Sequence, residues 1–369
     1  MKVKSLMIEN FKCFDRLKID FKPITILAGG NACGKSSVIQ MLRYLQRIDN
    51  DKSRVSTSID QFDYGAANSI IYENSSNNFI KVNLVMGNEL EKIFTFSLND
   101  NDLYSFNVST NGGRSFHKLY NLYYLSAERK APISLHEVKD SSGLYVGARG
   151  EYAVSVFAFL SKMHKQRSKY SLQLKKLFSN QLYKSEVKGY EALCNYWINE
   201  IVGPTHIFVS GVEEVPYNKL AIKNQGEVRI PEATGFGISY CLPIVIQGLA
   251  CALLKNSLFI VENPEVHLHP KSQSRMGAFL AYLASEGVQV IVETHSEHII
   301  NGARLFFARY KLEQIMNIIF FDNKDNNFIQ KEIFVNKFGE LSEWPEDFFD
   351  QTEKDLTEIL KRKIVDEPN

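Results

Sequence analysis

The residues with the clearest chemical potential lie in a glycine-rich segment near the start of the chain. The segment satisfies the pattern G-x-x-x-x-G-K-[ST], in which glycines allow a loop whose amide groups point at phosphate oxygens. A lysine neutralises phosphate charge, and the following hydroxyl is a ligand for Mg²⁺. The pattern therefore predicts a binding site for ATP and Mg²⁺. Its residues are Gly29, Gly30, Asn31, Ala32, Cys33, Gly34, Lys35, Ser36 and the adjoining Ser37.

A second group of polar residues follows an apolar run much later in the sequence. The run LFIV ends in Glu262, which is followed by Asn263, Pro264 and Glu265. A carboxylate at the end of a buried strand, opposite a phosphate loop, can hold Mg²⁺ through water. We therefore expect Glu262 and Ser36 to be the metal ligands. Another strand-end polar group, Glu293-Thr294-His295, comes later and adds weight to this interpretation.

The elements that must position these residues can be read from hydrophobic periodicity. Residues 2–28 alternate apolar and polar positions and close on ITILAG, which predicts a hairpin followed by a buried strand, and 35–48 then read as a helix. Short β-like runs between about 55 and 125, the last of them NLYYLS, predict an antiparallel wing. After Pro231, helices at 239–255, 271–285 and 297–310 alternate with the runs LFIVE, VQVIVET and IMNIIFF. Such alternation predicts an α/β fold with a parallel sheet.

These elements suggest four segments. We assign 1–150 to an N-terminal ATPase lobe with the phosphate loop and the β wing, and 151–206 to a helical insertion. Residues 207–340 form a C-terminal ATPase lobe, and 341–369 an acidic helical segment. Within the insertion, residues 162–188 hold eight Lys or Arg and one acid, so nucleic-acid binding, partner-protein docking and a solvated face all remain open for them.

Bulk composition excludes several classes of protein. The chain has 369 residues, 44% of them hydrophobic, and a formal net charge of +1, so binding of nucleic acid would depend on a local patch. Its five cysteines are scattered and show no C-x-x-C spacing, which is typical of a reducing compartment. The sequence has neither a signal-peptide core nor a membrane-length apolar run, so we expect a cytoplasmic protein with no membrane contact.

Taken together, the strings GGNACGKSS, TGFGIS, FIVENPEVHLHP and IVETHSEHI resemble the ABC-type ATPase heads of the OLD and SMC-like group. More narrowly, YYLSAERKAP, VGARGEYA and WPEDFFDQ resemble bacterial ATPases of that group that carry a short C-terminal domain of unknown function. The resemblance implies a P-loop NTPase fold of ABC-head type, with His295 as a switch histidine that senses the γ-phosphate. It also implies a signature segment formed by Gly235, Gly237 and Ser239.

In such heads the signature segment acts on nucleotide bound to a second copy. The resemblance therefore implies a homodimer, or a higher even-numbered oligomer, with ATP sandwiched between protomers. Asn263 departs from the pattern, because many relatives place a carboxylate there, and an amide cannot accept a proton from water. We expect slow hydrolysis with Glu265 as the substitute, and a catalytic set of Glu262, Asn263, Glu265 and His295.

The function that this resemblance implies is a nucleotide-gated dimeric switch, the ATPase component of a bacterial anti-phage or toxin-like defence system with a separate effector protein. One alternative is a nucleic-acid-binding ATPase of SMC or repair type, although the insertion is too short for long coiled arms. Another is a scaffold that binds ATP with little hydrolysis.

Other residues allow more than one interpretation. His267, His269, His295 and His298 could form a metal cluster, but they lack a recognised zinc-ligand spacing, so zinc is disfavoured. Arg129 could reach a phosphate or a dimer partner, or could form a solvated pair with Glu128. Phe11 and Lys12 are candidates for contact with the nucleotide base, the alternative being a plain hairpin.

Overall fold

The computed structural model describes residues 2–48, 54–60, 62–87, 89–111, 121–130, 133–138, 144–163, 176–177, 189–212, 215–224, 226–313, 315–324, 327–345 and 350–366. Within these ranges the strands are β1 (Val3–Phe11), β2 (Phe14–Asp20), β3 (Ile24–Gly29), β4 (Arg54–Ser56), β5 (Ser58–Ile59), β6 (Phe62–Asp63), β7 (Phe79–Met86), β8 (Glu91–Leu98), β9 (Ser105–Asn111), β10 (Asn121–Leu125), β11 (Leu135–Glu137), β12 (Thr205–Gly211), β13 (Tyr217–Asn224), β14 (Glu227–Arg229), β15 (Ser257–Glu262), β16 (Gln289–Glu293), β17 (Met316–Lys324) and β18 (Asn327–Phe334). The helices are α1 (Lys35–Arg47), α2 (Ala153–Met163), α3 (Tyr190–Val202), α4 (Phe236–Ala252), α5 (Pro270–Ser285), α6 (Glu297–Tyr310) and α7 (Gln351–Asp366).

The central sheet has the strand order β10-β15-β16-β3-β17-β18. The first five of these strands are mutually parallel, whereas β18 runs antiparallel to β17 at the edge. The predicted parallel sheet is therefore confirmed for its centre. The edge is mixed because β18 directly follows β17 and runs back beside it.

Both faces of this sheet are buried. On β15, Phe259 and Val261 point into one core with the helices α2 to α6, whereas Leu258 and Ile260 point into a second core with α1 and the wing. Alternate residues of a strand face opposite sides of a sheet, so a strand covered on both faces must be apolar throughout. The uninterrupted apolar runs before Glu262 and Glu293 have this cause.

The position of NLYYLS differs from the prediction. We expected it to be the last strand of the antiparallel wing, but it forms β10 and pairs in parallel with β15. Its residues Leu122 to Leu125 are all buried, which is typical of a strand covered on both faces. Hydrophobicity alone did not distinguish this strand from its neighbours in the wing.

The wing is an antiparallel sheet with the order β2-β1-β7-β8-β9-β4. The predicted N-terminal hairpin, β1 and β2, is part of it, because β1 pairs with both β2 and β7. Along β7, buried and half-buried residues alternate strictly, so one face of the wing packs on the core. That core includes Val38, Met41 and Leu42 of α1, so the wing holds the helix that begins at the phosphate loop.

A smaller sheet joins β11 to β13, which also pairs with β12 and β14. It therefore connects the segment 1–150 with residues after 204. The four-segment division remains a prediction. Most of the basic stretch 162–188 lies outside the described residues. Among the described helices, none is long and apolar enough to cross a membrane.

Helix α4 begins earlier than the predicted 239–255, at Phe236, and ends at Ala252. Gly235 is its N-cap, with extended backbone at φ −64° and ψ 143°. As a result, Gly237 and Ser239 lie within the first turns of the helix. Gly237 also sits against the backbone of the β15–α5 connection, since a Cβ there would lie 2.9 Å from the carbonyl oxygen of His267.

Candidate nucleotide-binding site

The phosphate loop joins β3 to α1 and shows the backbone features that its glycines allow. Gly29 has φ 134° and Gly34 has φ 96°, both in the region that disfavours residues with a side chain. A Cβ at Gly29 would collide with the carbonyl oxygen of Phe321 on β17, and one at Gly34 would collide with the ring of Phe14. The loop therefore needs glycine at these positions for both backbone conformation and space.

Lys35 is buried at the first position of α1. Its Nζ donates to the carbonyl oxygens of Gly29, at 3.1 Å, and Gly30, at 2.5 Å, and lies 3.6 Å from the Sγ of Cys33. The thiol of Cys33 donates to the Gly30 carbonyl at 2.8 Å. The lysine thus folds onto the carbonyl groups of its own loop.

A cavity of about 460 Å³ opens beside the loop. Its lining combines the loop with the wing hairpin and with the strand-end group after β16. The lining residues are Lys12, Cys13, Asn31, Ala32, Cys33, Gly34, Lys35, Ser36, Ser37, Glu293 and His295. The predicted loop residues from Asn31 to Ser37 and His295 are therefore brought together around one space.

The carboxylates of Glu262 and Glu293 lie at the same edge of the central sheet. The two residues are directly paired in the register of β15 with β16. The Ser36 hydroxyl donates to Glu293, with Oγ 2.9 Å from Oε1 and 3.1 Å from Oε2. Glu262 instead accepts from the Ala127 amide at 3.2 Å. The carboxylate in direct contact with Ser36 is thus Glu293, which our predicted site residues did not include.

Burial shifts the ionisation of both carboxylates. Burial, and next the charge of Glu262, raises the pKa of Glu293 to about 7, although Ser36 and Lys35 act in the opposite direction. Burial also raises the pKa of Glu262, against hydrogen bonds from the Ala127 amide and the Tyr124 hydroxyl. A cation bound between these carboxylates would relieve the repulsion between them.

The donor set fits Mg²⁺. A serine hydroxyl and two carboxylates are hard oxygen ligands, and Mg²⁺ is commonly bound by one or two carboxylates together with phosphate oxygens and water. In the part of the chain that the structure describes, no group of three His, Cys, Asp or Glu side chains is placed to hold a metal by itself. Ser36, Glu293 and Glu262 would therefore hold the ion jointly with the nucleotide.

Glu265 and Asn263 form hydrogen bonds with the residues that follow β16 and with its last residue. The carboxylate of Glu265 accepts from the Thr294 hydroxyl and from the His295 amide, both at 2.8 Å. Asn263 has φ 43°, and its amide donates to the carbonyl of Glu293 at 2.8 Å. Neither residue lines the cavity. Burial raises the pKa of Glu265.

His295 directly follows this contact and reaches the cavity. Burial, together with the charge of Lys35, lowers the pKa of His295 below its ordinary value, which favours a neutral ring at neutral pH. A neutral imidazole can accept or donate one hydrogen bond at each nitrogen.

The signature residues Gly235, Gly237 and Ser239 do not line the cavity of their own chain. The Oγ of Ser239 is buried and has no hydrogen-bond partner among the described residues. Buried hydroxyls normally have a hydrogen-bond partner, so Ser239 is an exception near the start of α4.

The structure places several of the residues for which the sequence left more than one interpretation open. His269 caps α5 by accepting from the Lys271 amide, and the ring of His267 contacts that of Tyr240 with centroids 4.5 Å apart. Phe11 is fully buried against Tyr44, whereas Lys12 lines the cavity. Glu128 pairs with Arg149 and not with Arg129.

Arg129 itself is almost fully buried and lies against backbone carbonyls at the end of β15. The hypothesis of a solvated pair with Glu128 is wrong, because Arg129 faces the interior. The sequence analysis missed the burial of Arg129, because the string YLSAERKAP does not indicate which of its side chains faces the core. Only the tertiary structure shows that this arginine is buried beside the end of a strand.

A glycine-rich loop between a buried parallel strand and a helix, facing strand-end carboxylates, defines the P-loop class of α/β nucleotide-binding proteins. A family model described as the AAA ATPase domain matches residues 1–191 and 72–300 of the chain. The chain therefore belongs to the AAA ATPase domain family. A model described as a protein of unknown function (DUF3696) matches residues 315–359. Curated proteins gave no match.

Solved structures with a similar fold include SMC heads. One is an Smc head bound to the C-terminal winged-helix domain of ScpA, with 13% identity and a TM-score of 0.58, covering 90% of this chain and 98% of that one. Another is an Smc head domain with an extended coiled coil, bound to the C-terminal domain of ScpA from Pyrococcus furiosus. It has 12% identity and a TM-score of 0.55, and covers 97% and 99% of the two chains. At these identities the similarity shows the fold alone.

Proposed function

We propose that this chain binds Mg-ATP in the cavity beside the phosphate loop, hydrolyses it slowly, and uses the bound nucleotide to pair two copies of itself. The observation that carries the proposal is the meeting of Lys35 and Ser36 with Glu293 around one cavity, although Ser36 and Glu293 are far apart in the sequence. This combination supplies a cation for phosphate and oxygen ligands for a divalent metal. It has no evident purpose in a purely structural turn.

The residues divide the binding work by chemistry. The amides of the loop and the N-terminus of α1 face phosphate oxygens, and Lys35 exchanges its loop carbonyls for phosphate. Ser36, Glu293 and Glu262 would hold Mg²⁺, which would neutralise part of the phosphate charge. Lys12 and Cys13 line the same cavity from the wing hairpin.

Slow hydrolysis follows from the residues that are available to activate water. The Asn263 amide can orient water but cannot accept its proton. Both oxygens of Glu265 accept hydrogen bonds from Thr294 and His295, so these contacts compete with a water molecule for the carboxylate. We assign water positioning to Asn263 and His295, and proton acceptance to Glu265 once the loop moves.

Pairing of two copies is supported by the signature segment. Gly235, Gly237 and Ser239 are at the start of α4, away from the chain's own cavity, and the Ser239 hydroxyl lacks a partner among the described residues. A helix N-terminus and a hydroxyl together suit an anion such as a γ-phosphate. In the proposed dimer, this segment caps ATP bound to the other protomer.

The wider role rests on resemblance. We propose membership of the OLD-related group, and an ATPase component of a bacterial anti-phage or toxin-like system whose destructive chemistry lies in a separate effector. The Smc heads in the two similar structures are bound to a domain of ScpA, which supports partner-protein docking on this fold. Nucleic-acid binding through 162–188 and an ATP-binding scaffold with little hydrolysis are the alternative proposals.

Size-exclusion chromatography with light scattering tests the switch. Glu265→Gln protein is measured with and without Mg-ATP, and Lys35→Ala protein serves as the control. We expect ATP to double the mass, or to yield a larger even-numbered assembly, in the Glu265→Gln variant and not in the Lys35→Ala variant. A mass that ignores ATP although ATP binds would refute action of the signature segment on a second copy, and would favour the scaffold.

A further inference from the structure

Arg129 makes an arrangement of hydrogen bonds that phosphate binding does not explain. Its Nη1 donates to the carbonyl oxygens of Ser126 and Glu262, both at 2.9 Å, and its Nη2 donates to the carbonyl of Asn263 at 2.7 Å. The side chain does not line the cavity. One guanidinium thus joins the loop after β10 to two consecutive residues at the end of β15.

The turn that Arg129 holds directly follows Glu262, which the proposed function assigns as a metal ligand. Asn263 has φ 43°, a left-handed conformation that is uncommon for residues other than glycine. Its backbone amide donates a hydrogen bond to the Glu293 carbonyl on the opposite side of the turn. Arg129 and β16 form hydrogen bonds with the two sides of the turn, so the backbone conformation at Glu262 and Asn263 is restricted.

The same loop also holds the Glu262 side chain. Ala127, two residues before Arg129, donates its amide to Glu262 Oε2 at 3.2 Å. The bond from Arg129 Nη1 to the Ser126 carbonyl fixes the shape of this loop. Arg129 therefore sets both the backbone of Glu262 and the amide that orients its carboxylate.

The signature helix α4 lies against the other side of the guanidinium. The ring of Tyr240 is 5.7 Å from the guanidinium carbon, and it contacts the His267 ring in the connection after β15. Cation–π contacts of this kind are strongest when they are shielded from water. Arg129 is thus in contact with the start of α4 and with the turn after β15 at the same time.

We propose that Arg129 is a positioning residue that sets Glu262 for Mg²⁺ and ties that carboxylate to the signature helix. The inference rests on the proposed function, because it concerns the metal ligand of that site. In this arrangement, a γ-phosphate that binds the start of α4 in a dimer also affects the turn after Glu262, because Arg129 contacts both. Binding on one protomer is thereby linked to metal geometry on the other.

The competing explanation is a purely structural buried cation. Such a residue would stabilise the fold without a selective effect on metal binding. Groups that orient a metal ligand, by contrast, commonly change metal affinity by about tenfold to about 100-fold when they are removed. A positioning role therefore predicts that loss of Arg129 weakens Mg²⁺ binding while the affinity for metal-free nucleotide stays unchanged. A purely structural role predicts no selective loss of Mg²⁺ affinity.

The test measures binding of a fluorescent ATP analogue, first in EDTA and then during Mg²⁺ titration. The variants are Arg129→Gln, Arg129→Lys and the control Arg149→Gln, which removes a neighbouring arginine whose partner is the exposed Glu128. We expect unchanged affinity in EDTA for all of them. The Mg²⁺ midpoint should rise about tenfold or more in Arg129→Gln, rise by less in Arg129→Lys, and stay at the wild-type value in Arg149→Gln.

Each outcome has one meaning. A wild-type Mg²⁺ midpoint in Arg129→Gln, or equal loss of EDTA and Mg²⁺ affinity, overturns the positioning role while leaving the proposed function intact. If Arg129→Gln shows no cooperative melting transition, the decision passes to Arg129→Lys. That variant keeps the buried charge but has one nitrogen in place of the two that bond the three carbonyls, and a wild-type midpoint in it overturns the inference. Wild-type protein that binds no nucleotide overturns both.

Discussion

Glu293 shows how a single carboxylate can combine several roles at this site. It accepts the Ser36 hydroxyl, it is paired in register with Glu262, and it lines the cavity. Its position at the end of β16 places it directly before Thr294 and His295, the residues that hydrogen-bond Glu265. The site therefore contains two neighbouring carboxylates, Glu262 and Glu293, where the sequence predicted one.

This acidity predicts a pH-dependent stability. The pKa of Glu293, about 7 in the folded protein, lies above that of an unfolded glutamate, about 4.3. The native state then holds more protons than the unfolded state between these values, so this group destabilises the protein progressively as pH rises from about 4.3 to about 7. The destabilisation reaches up to about 4 kcal/mol above that window.

Glu293→Gln should therefore raise the melting temperature of nucleotide-free protein in EDTA more at pH 8 than at pH 5. The glutamine keeps an acceptor for Ser36 and removes the charge. Differential scanning calorimetry at both pH values measures this difference. The half-exposed Glu297→Gln is the matched control. A Glu293→Gln variant that differs from the wild type equally at both pH values would contradict the burial of an ionised Glu293.

At the scale of elements, the helix pair α5 and α6 positions the loop of Glu293 and His295. α6 begins directly after Ser296, whose hydroxyl accepts from the amides of His298 and Ile299. Two glycines let the helices approach closely. A Cβ at Gly302 would collide with the Ser274 carbonyl, and one at Gly277 with the Ile299 carbonyl. The obstacle is backbone in both cases, so it cannot move aside cheaply.

Gly302→Ala should accordingly destabilise the protein by about 1–3 kcal/mol, because the two helices must separate to accept a methyl group. Chemical denaturation monitored by circular dichroism measures the loss. Gly211→Ala is the control, since a Cβ there would meet no atom within 4 Å. Equal stability of the two variants would show that the helix contact is looser than described.

At the scale of the whole molecule, the proposed function divides the catalytic residues between two surfaces. One surface carries the cavity with Lys35, Ser36 and Glu293, and the other carries the start of α4. The proposed dimer brings the first surface of one protomer against the second surface of its partner. Each composite site then needs a sound phosphate loop from one chain and a sound signature segment from the other.

Complementation between two defective variants tests this division. Lys35→Ala removes the phosphate contact, and Ser239→Arg blocks the start of α4, so neither variant should dimerise alone with Mg-ATP. A mixture of the two contains one intact composite site per heterodimer and should form dimers. Light scattering of the separate and mixed proteins measures the effect. Absence of dimers in the mixture, when the wild type dimerises, would contradict the head-to-tail arrangement.

The sequence by itself determined the features that depend on neighbouring residues. A phosphate loop needs its glycines, lysine and serine at fixed spacing, and a strand buried on both faces needs an unbroken apolar run. The loop at 29–36, the strand ending at Glu262 and the alternation after Pro231 could therefore be predicted, since local chemistry dictates them.

Only the tertiary structure decided which distant residues meet. The contact of Ser36 with Glu293, the grip of Arg129 on the turn after Glu262, and the placement of β10 beside β15 join parts of the chain more than a hundred residues apart. A pattern of residue types does not specify such pairs, because many carboxylates and apolar runs fit each local rule equally well. Strand order and burial select among them.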